Sequence, residues 1–183
     1  AIDRARVDVV ERSELLARPT SCSPALQALA DRSLPHHPAF LSVLNSGLRH
    51  KPYRLEASVG GRVEGVLPLA FLQGWLFGRF LVSLPYLNSG GVLATSHEVR
   101  RALIDRAVQL ADRLDVRYLE LRHEIEHKHP ALTASLTSKV HMRLALPSSR
   151  EQLWKQLKDK VRNQVRKGEK QGFDVAWGRQ ELL

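Results

Sequence analysis

The segment 123–127 carries the densest arrangement of chemically active side chains in the sequence. The run His123-Glu124-Ile125-Glu126-His127 matches H-E-x-x-H, the pattern of zinc proteases. That chemistry needs both histidines on one face of a helix, with the glutamate beside a zinc-bound water. Here the run directly follows a predicted strand, and Pro130 comes three residues after it. We therefore predict a polar loop and no metal site in this segment.

A second candidate site is the loop 85–91, which joins a predicted strand to a predicted helix. Its glycines leave backbone N–H groups of the loop unobstructed by side chains, so these groups could bind an anionic or acyl group. A plain turn would have the same composition. The polar cluster 49–53 could help to line a substrate cleft. The predicted substrate-binding residues are Tyr86, Asn88, Ser89, Gly90 and Arg49.

A third candidate is the basic segment 150–171, predicted to be one helix with Leu153, Trp154, Leu157, Val161 and Val165 turned inward. It carries eight cations against three acids, a net charge of +5 out of +9 for the whole chain. Such a surface is typical of phosphate binding, and a solvated helix face is the alternative. The predicted phosphate-binding or nucleic-acid-binding residues are Lys160, Arg162, Arg166, Lys167 and Lys170.

Other chemistries find no support in the residues. The sequence contains no G-x-S-x-G, no phosphate-binding P-loop and no G-x-G-x-x-G pattern, so hydrolase and nucleotide-fold interpretations are excluded and no cofactor is predicted. The single cysteine, Cys22, excludes a disulfide framework and indicates a reducing compartment. The charged first residues do not resemble a signal peptide. We therefore expect a cytoplasmic protein.

The apolar stretch 66–87 is interrupted by prolines, glycines and Arg79, so it predicts buried strands and no transmembrane segment. Across the 183 residues, apolar spacing predicts a mixed α/β domain with antiparallel hairpins and helices laid across one sheet. Gly60-Gly61 predicts a hairpin turn, and Ser96 a helix N-cap. The predicted strands are 6–10, 53–59, 62–72, 79–84, 116–122, 139–146 and 173–177. The predicted helices are 24–32, 38–46, 96–114 and 150–171.

Several ordered motifs resemble the FemAB-like family, most closely its branch associated with exosortase and PEP-CTERM exopolysaccharide systems. They are HHPAFLSVLNSGLRHKPYRLEA, GGRVEGVLPLAF, LFGRFLVSLPYLNSGG, VRYLELRHE and WKQLKDKVRNQVRKGEKQGFDV. This resemblance implies a GNAT-like acyltransferase fold of α+β type, with a mixed, mostly antiparallel sheet flanked by helices. It also implies two such subdomains, the first at 1–172 and the start of a second at 173–183. An absent second half would expose apolar surface and favour a homodimer.

The resemblance implies an enzyme that forms an amide on a cell-envelope or exopolysaccharide precursor. The donor would be aminoacyl-tRNA, and the basic helix would bind tRNA or a nucleotide-linked precursor. One alternative is an N-acyltransferase of the same fold that uses acyl-CoA. Against it, the nearest string to the CoA-binding R/Q-x-x-G-x-G/A loop, residues 62–67, lies within a predicted strand. A second alternative is a non-catalytic nucleic-acid-binding module. No side chain is assigned as catalytic base.

Overall fold

The computed structural model describes residues 7–12, 21–138, 140, 142–173 and 176. The chain divides into two compact units, Ala1–His141 and Met142–Leu183. The predicted subdomain boundary at 172–173 lies where the described residues become sparse, so it stays a prediction.

The first unit is built on one mixed sheet of six strands, in the order β1-β2-β3-β4-β6 with β5 paired to β3. Strands β1 to β4 pair antiparallel, and β4 pairs parallel with β6. The strands are β1 (Val7–Arg12), β2 (Lys51–Val59), β3 (Arg62–Gly74), β4 (Gly78–Val82), β5 (Leu93–Ala94) and β6 (Tyr118–Glu120). The predicted fold class, a mixed and mostly antiparallel sheet flanked by helices, is confirmed.

Helices cover both faces of this sheet. The first-unit helices are α1 (Pro24–Ala30), α2 (Ala39–Ser42), which a π-helical turn Val43–Gly47 continues, and α3 (His97–Arg113). Helix α3 packs on the face that carries Leu67 and Leu69, and α2 packs near Ala70 on the opposite face. Because successive strand residues point to opposite faces, a strand covered on both sides reads as a continuous apolar run.

Two predicted local signals are confirmed. Gly60 and Gly61 both have positive φ, 56° and 78°, as a two-residue primed turn between β2 and β3 requires. The Ser96 side chain caps α3 by accepting a hydrogen bond from the N–H of Val99 at 3.2 Å.

The apolar stretch 66–87 is only partly buried. It supplies much of β3 and β4, as predicted, but the turn between these strands exposes Trp75, Leu76 and Phe77. The prediction of buried strands is therefore wrong for these three residues, which form the exposed turn between β3 and β4.

Within the described residues of the second unit, two short helices form where one was predicted. They are α4 (Arg150–Gln156) and α5 (Asp159–Glu169). Leu157 and Lys158 have extended ψ angles of 136° and 150°, which breaks the helical path between them. The predicted inward stripe is also wrong as stated, because neither helix contains a buried residue and Val161 and Val165 are exposed.

The predicted strand at 139–146 is not formed by its described residues, 140 and 142–146, which have irregular backbone. Their apolar side chains are exposed, so the alternating pattern finds no sheet to pack against. The predicted strand at 173–177 falls largely on residues outside the described part of the chain. Among the described helices, none combines the length and the apolar character needed to cross a bilayer.

Candidate functional site

The carboxyl ends of the parallel strands β4 and β6 lie side by side, and the chain after each strand is tied to the other. The N–H of Ser83 donates to the carbonyl of Glu120 at 2.9 Å, and the N–H of Arg122 donates to the buried hydroxyl of Ser83 at 2.7 Å. Adjacent carboxyl ends of parallel strands are a common position for ligand sites in α/β sheets. Loops 83–91 and 121–127 therefore define the candidate site.

Arg122 fastens the first loop to the second. Its Nε donates to Glu120 Oε1 at 2.7 Å, and its Nη1 donates to the carbonyl of Leu87 at 2.6 Å. The carbonyl of Arg122 accepts from the N–H groups of both Gly90 and Gly91, at 3.1 and 2.9 Å. The Arg122 carbonyl therefore occupies these two N–H groups, which are not open to a ligand in this structure.

The loop that contains the predicted substrate-binding residues has strained backbone. Leu84 and Tyr86 have φ angles of 45° and 71°, and Arg49 has a φ of 55°. Positive φ is costly for side chains of this size, and it clusters at sites where the surrounding structure enforces it. The Tyr86 hydroxyl lies 2.8 Å from Nε2 of His50, and the two rings stack. The structure thus places His50, the chain neighbour of Arg49, next to Tyr86.

The other two predicted residues of this loop differ in exposure. Ser89 is buried, and Asn88 is exposed to solvent. Gly90 has a φ of 152°, and a Cβ built there would lie 2.6 Å from Leu84 Cδ1, so only glycine fits. The four predicted residues between 86 and 90 therefore lie in one loop whose path is closely constrained.

His123 is the site residue that the sequence analysis assigned only to a polar loop. The loop is confirmed, but the ring is half-buried against Gly91. Its Nε2 is shielded from solvent and has no hydrogen-bond partner among the described residues. Burial, followed by the neighbouring His127 and Arg100, lowers the pKa of His123 from 6.5 to about 4. At neutral pH the ring is therefore uncharged. Its position directly after a strand was the available signal.

His36 approaches the same loop from the other side of Gly91. Its Nε2 lies 2.7 Å from the Gly91 carbonyl, and its Nδ1 lies 2.6 Å from the Ser33 hydroxyl. Because a carbonyl can only accept, Nε2 of His36 carries the proton in this bond. Burial lowers the pKa of His36 as well. Gly91 is thus held between two imidazole rings.

The histidines of this loop do not form a metal centre in the described residues, where no group of three His, Cys, Asp or Glu side chains is arranged to hold an ion. His123 and His127 meet edge to face with ring centroids 4.6 Å apart. His129 instead contacts Asp105 of α3, with Nε2 and Oδ1 3.1 Å apart, and this contact fixes the end of the loop.

The predicted phosphate-binding residues lie on or next to α5 in the second unit. Arg162 forms an ion pair with Asp159 one turn earlier. Arg166 lies over the Trp154 ring, with its Cζ 5.5 Å from the ring centroid. The remaining predicted cations, Lys160, Lys167 and Lys170, are exposed.

No family model matches the chain, and no curated protein matches it. Among solved structures, it is similar to a ribosomal-protein-alanine N-acetyltransferase from Brucella melitensis biovar Abortus 2308, with a TM-score of 0.44 and 16% identity over 78% of this chain and 100% of that one. It is similar to a transcriptional regulator from Bacillus halodurans C-125, with a TM-score of 0.42 and 14% identity over 77% and 100%. It is also similar to a probable acetyltransferase, with a TM-score of 0.41 and 13% identity over 78% of this chain and 99% of that one. These values establish neither a family nor an activity for this chain.

Proposed function

We propose that this chain is an amide-forming acyltransferase of the FemAB-like, GNAT-like kind, with its reacting groups at the carboxyl ends of β4 and β6. The observation that carries the proposal is the pairing at this edge. Two loops are locked together by Ser83 and Arg122 beside an uncharged imidazole whose Nε2 finds no hydrogen-bond partner in the described part of the chain. The parallel pairing of β4 and β6, connected through α3 in an otherwise antiparallel order, supports the same fold type.

Amide formation from an ester needs an amine held against the ester carbonyl, and most of the rate comes from positioning and stabilisation of the developing oxyanion. Nε2 of His123 is shielded from solvent in this structure. Once the loop around Gly91 opens, it can accept a hydrogen bond from the attacking amine and orient the amine's lone pair. Tyr86 and Asn88 are exposed on the adjacent loop, where their side chains can contact the acceptor. In this proposal His123 is the residue in contact with the reacting amine.

The donor we propose is aminoacyl-tRNA rather than acyl-CoA. A CoA pyrophosphate would need open backbone N–H groups, and those of Gly90 and Gly91 are already bonded to Arg122. The first turn of α3 carries Glu98, which opposes an anion at that helix end. The segment 62–67 also leaves no space for a pyrophosphate at Gly65, because even a Cβ built there would lie 2.5 Å from Val99 Cγ1. Acyl-CoA remains the alternative donor.

The acceptor we propose is an amine on a cell-envelope or exopolysaccharide precursor, modified in the cytoplasm, where aminoacyl-tRNA is made. The exposed cations Lys160, Lys167 and Lys170 would bind phosphates of the tRNA or of a nucleotide-linked precursor. The same cations support the second candidate, a non-catalytic RNA-binding module. The two candidate functions differ in whether the aminoacyl group contributes to the binding of tRNA.

The experiment is a binding titration with fluorescent tRNA in charged and uncharged forms, repeated with acyl-CoA as competitor. We expect tighter binding of the charged form, and His123→Ala should abolish that preference while leaving the affinity for uncharged tRNA intact. His37→Ala, an exposed histidine, is the matched control. Equal affinity for both forms would favour the RNA-binding module. Competition by acyl-CoA would favour the alternative donor.

A further inference from the structure

The turn between β3 and β4 presents three consecutive large apolar side chains to solvent. Trp75 is 100% exposed, Leu76 74% and Phe77 70%. We refer to residues 74–78, which include the flanking Gly74 and Gly78, as the hairpin tip. Single exposed apolar residues are ordinary on a protein surface, but contiguous ones mark a contact with another phase or partner.

Positive charge lies just behind the hairpin tip. Arg79 follows Gly78 directly and forms an ion pair with Asp115, and the N–H of Arg117 donates to the Arg79 carbonyl at 2.8 Å. Lys51 at the start of β2 pairs with Phe71, three residues before Gly74. At the rise of an antiparallel strand, three residues place Lys51 about 10 Å behind the tip. Arg117 and Lys51 are both exposed.

We propose that the hairpin tip docks this chain on a bilayer that contains anionic phospholipids. Trp75, Leu76 and Phe77 would enter the boundary between headgroups and acyl chains, a region that aromatic side chains prefer. Amphipathic elements bury their apolar side to a depth of about 5–10 Å at this boundary. At that depth, the cations behind the tip reach the anionic headgroups.

A pair of aromatic side chains extends the same surface from the tip towards β6. The rings of Phe80 and Tyr118 lie with their centroids 4.6 Å apart, on strands that pair at these two positions. Tyr118 is 47% exposed, so an apolar ring with a polar hydroxyl lies at the level of the cations. Tyrosine is enriched at the headgroup level of membranes for this reason.

The geometry favours a lipid surface over a protein partner. The apolar residues lie at the apex of a turn, which is convex, and a lipid interface can accommodate a convex apolar tip without a preformed pocket. The cations Lys51 and Arg117 complement anionic headgroups, and Asp115 is engaged by Arg79. Docking at the tip is independent of the acyl transfer proposed above.

The test is sedimentation of the full chain with vesicles of phosphatidylglycerol and phosphatidylcholine, and with phosphatidylcholine alone. We expect Trp75→Ser combined with Leu76→Ser to lower the partition coefficient by about tenfold or more. The matched control is Ile125→Ser combined with Leu136→Ser, which removes equally exposed apolar residues outside the tip. Equal binding of the two double variants would overturn the proposal.

A second experiment tests the role of the cations behind the hairpin tip. Lys51→Glu combined with Arg117→Glu should weaken binding to the anionic vesicles by about fivefold or more per residue, while Lys128→Glu combined with Arg32→Glu should have a smaller effect. Sedimentation velocity without lipid tests whether the hairpin tip instead binds a second copy of this chain. A concentration-dependent dimer that the tip variant abolishes, together with no binding to vesicles, would show a contact between copies of this chain and would overturn lipid docking.

Discussion

The imidazole of His123 lies so close to Gly91 that a Cβ built on the glycine would be 2.4 Å from Cδ2 of the ring. Real Cβ atoms do not approach other atoms to this distance, so the ring and the loop fit together only if residue 91 is glycine. Gly91 also donates its N–H to Arg122 and accepts from His36 through its carbonyl. The contact therefore couples the position of His123 to the path of the loop 83–91.

Replacing Gly91 with alanine should force the His123 ring or the loop to move. We expect a loss of about 1–3 kcal/mol in the free energy of unfolding, the usual cost of overpacking a filled site. Urea denaturation followed by circular dichroism measures it. Gly47→Ala is the matched control, because the nearest atom to its new Cβ is Val43 Cγ1 at 3.9 Å, an ordinary contact.

A double variant gives the second half of this test. If the cost of Gly91→Ala comes from the His123 ring, then adding His123→Ala should recover much of it, with a coupling energy above about 0.5 kcal/mol. Additive effects of the two changes would mean that the contact does not determine the fit of the loop.

The lowered pKa of His123 predicts acid sensitivity. The folded value is about 4 against an ordinary 6.5, so between these values the unfolded chain binds more protons than the folded chain. The free energy of unfolding should therefore fall as pH drops from about 6.5 to about 4. Its slope for this group is at most about 1.4 kcal/mol per pH unit, reduced by solvent screening of the half-buried ring.

His123→Gln should flatten this part of the stability curve, measured by urea denaturation at several pH values. A residual slope is expected from His36 and His127, because burial also lowers the pKa of both. A variant whose stability falls as steeply as that of the original chain would assign the acid sensitivity to other groups.

Much of the first unit is readable from the sequence because local signals and packing agree there. The glycine pair at 60–61, the Ser96 cap and the apolar face of α3 each predict the structure that forms. The prediction fails at 139–146, where strand-like alternation has no neighbouring strand among the described residues. It also fails at Leu157, where a helical pattern continues through a residue with extended backbone.

The candidate site was only half predictable for a different physical reason. Tyr86, Asn88, Ser89 and Gly90 are neighbours in sequence, so their loop could be identified from composition. His36 and His123 converge on Gly91 from segments far apart in the chain, and this convergence depends on the parallel pairing of β4 with β6. Single-sequence periodicity contains no information about that pairing.

The buried Glu56 predicts a large stability effect away from the site. Its carboxylate is 3% exposed and forms an ion pair with Arg54, with Nε and Oε1 3.1 Å apart, and Arg54 is itself buried. Glu56→Ala would remove this ion pair. We expect a loss smaller than the cost of about 3–5 kcal/mol for a buried charge left uncompensated, because Arg54 keeps a further interaction. Thermal and urea denaturation measure the loss.

Arg12 provides the control for Glu56. It contacts the same carboxylate, with Nε and Oε2 3.0 Å apart, but its side chain is 53% exposed. Arg12→Ala should therefore cost about 0–1 kcal/mol, as is usual for exposed ion pairs. Similar losses in Arg12→Ala and Glu56→Ala would contradict the assignment of the cost to the buried pair.

The exposed lysines of α5 predict how RNA binding should depend on salt. Each cation that neutralises a phosphate steepens the fall of the logarithm of affinity with the logarithm of salt concentration by about 0.7–0.9. Lys160→Ala combined with Lys167→Ala should therefore reduce the slope for tRNA by about 1.4–1.8. Lys128→Ala, an exposed lysine of the first unit, should leave the slope nearly unchanged. If the double variant keeps the original slope, these cations form a solvated face, and the phosphate-binding role assigned to α5 is wrong.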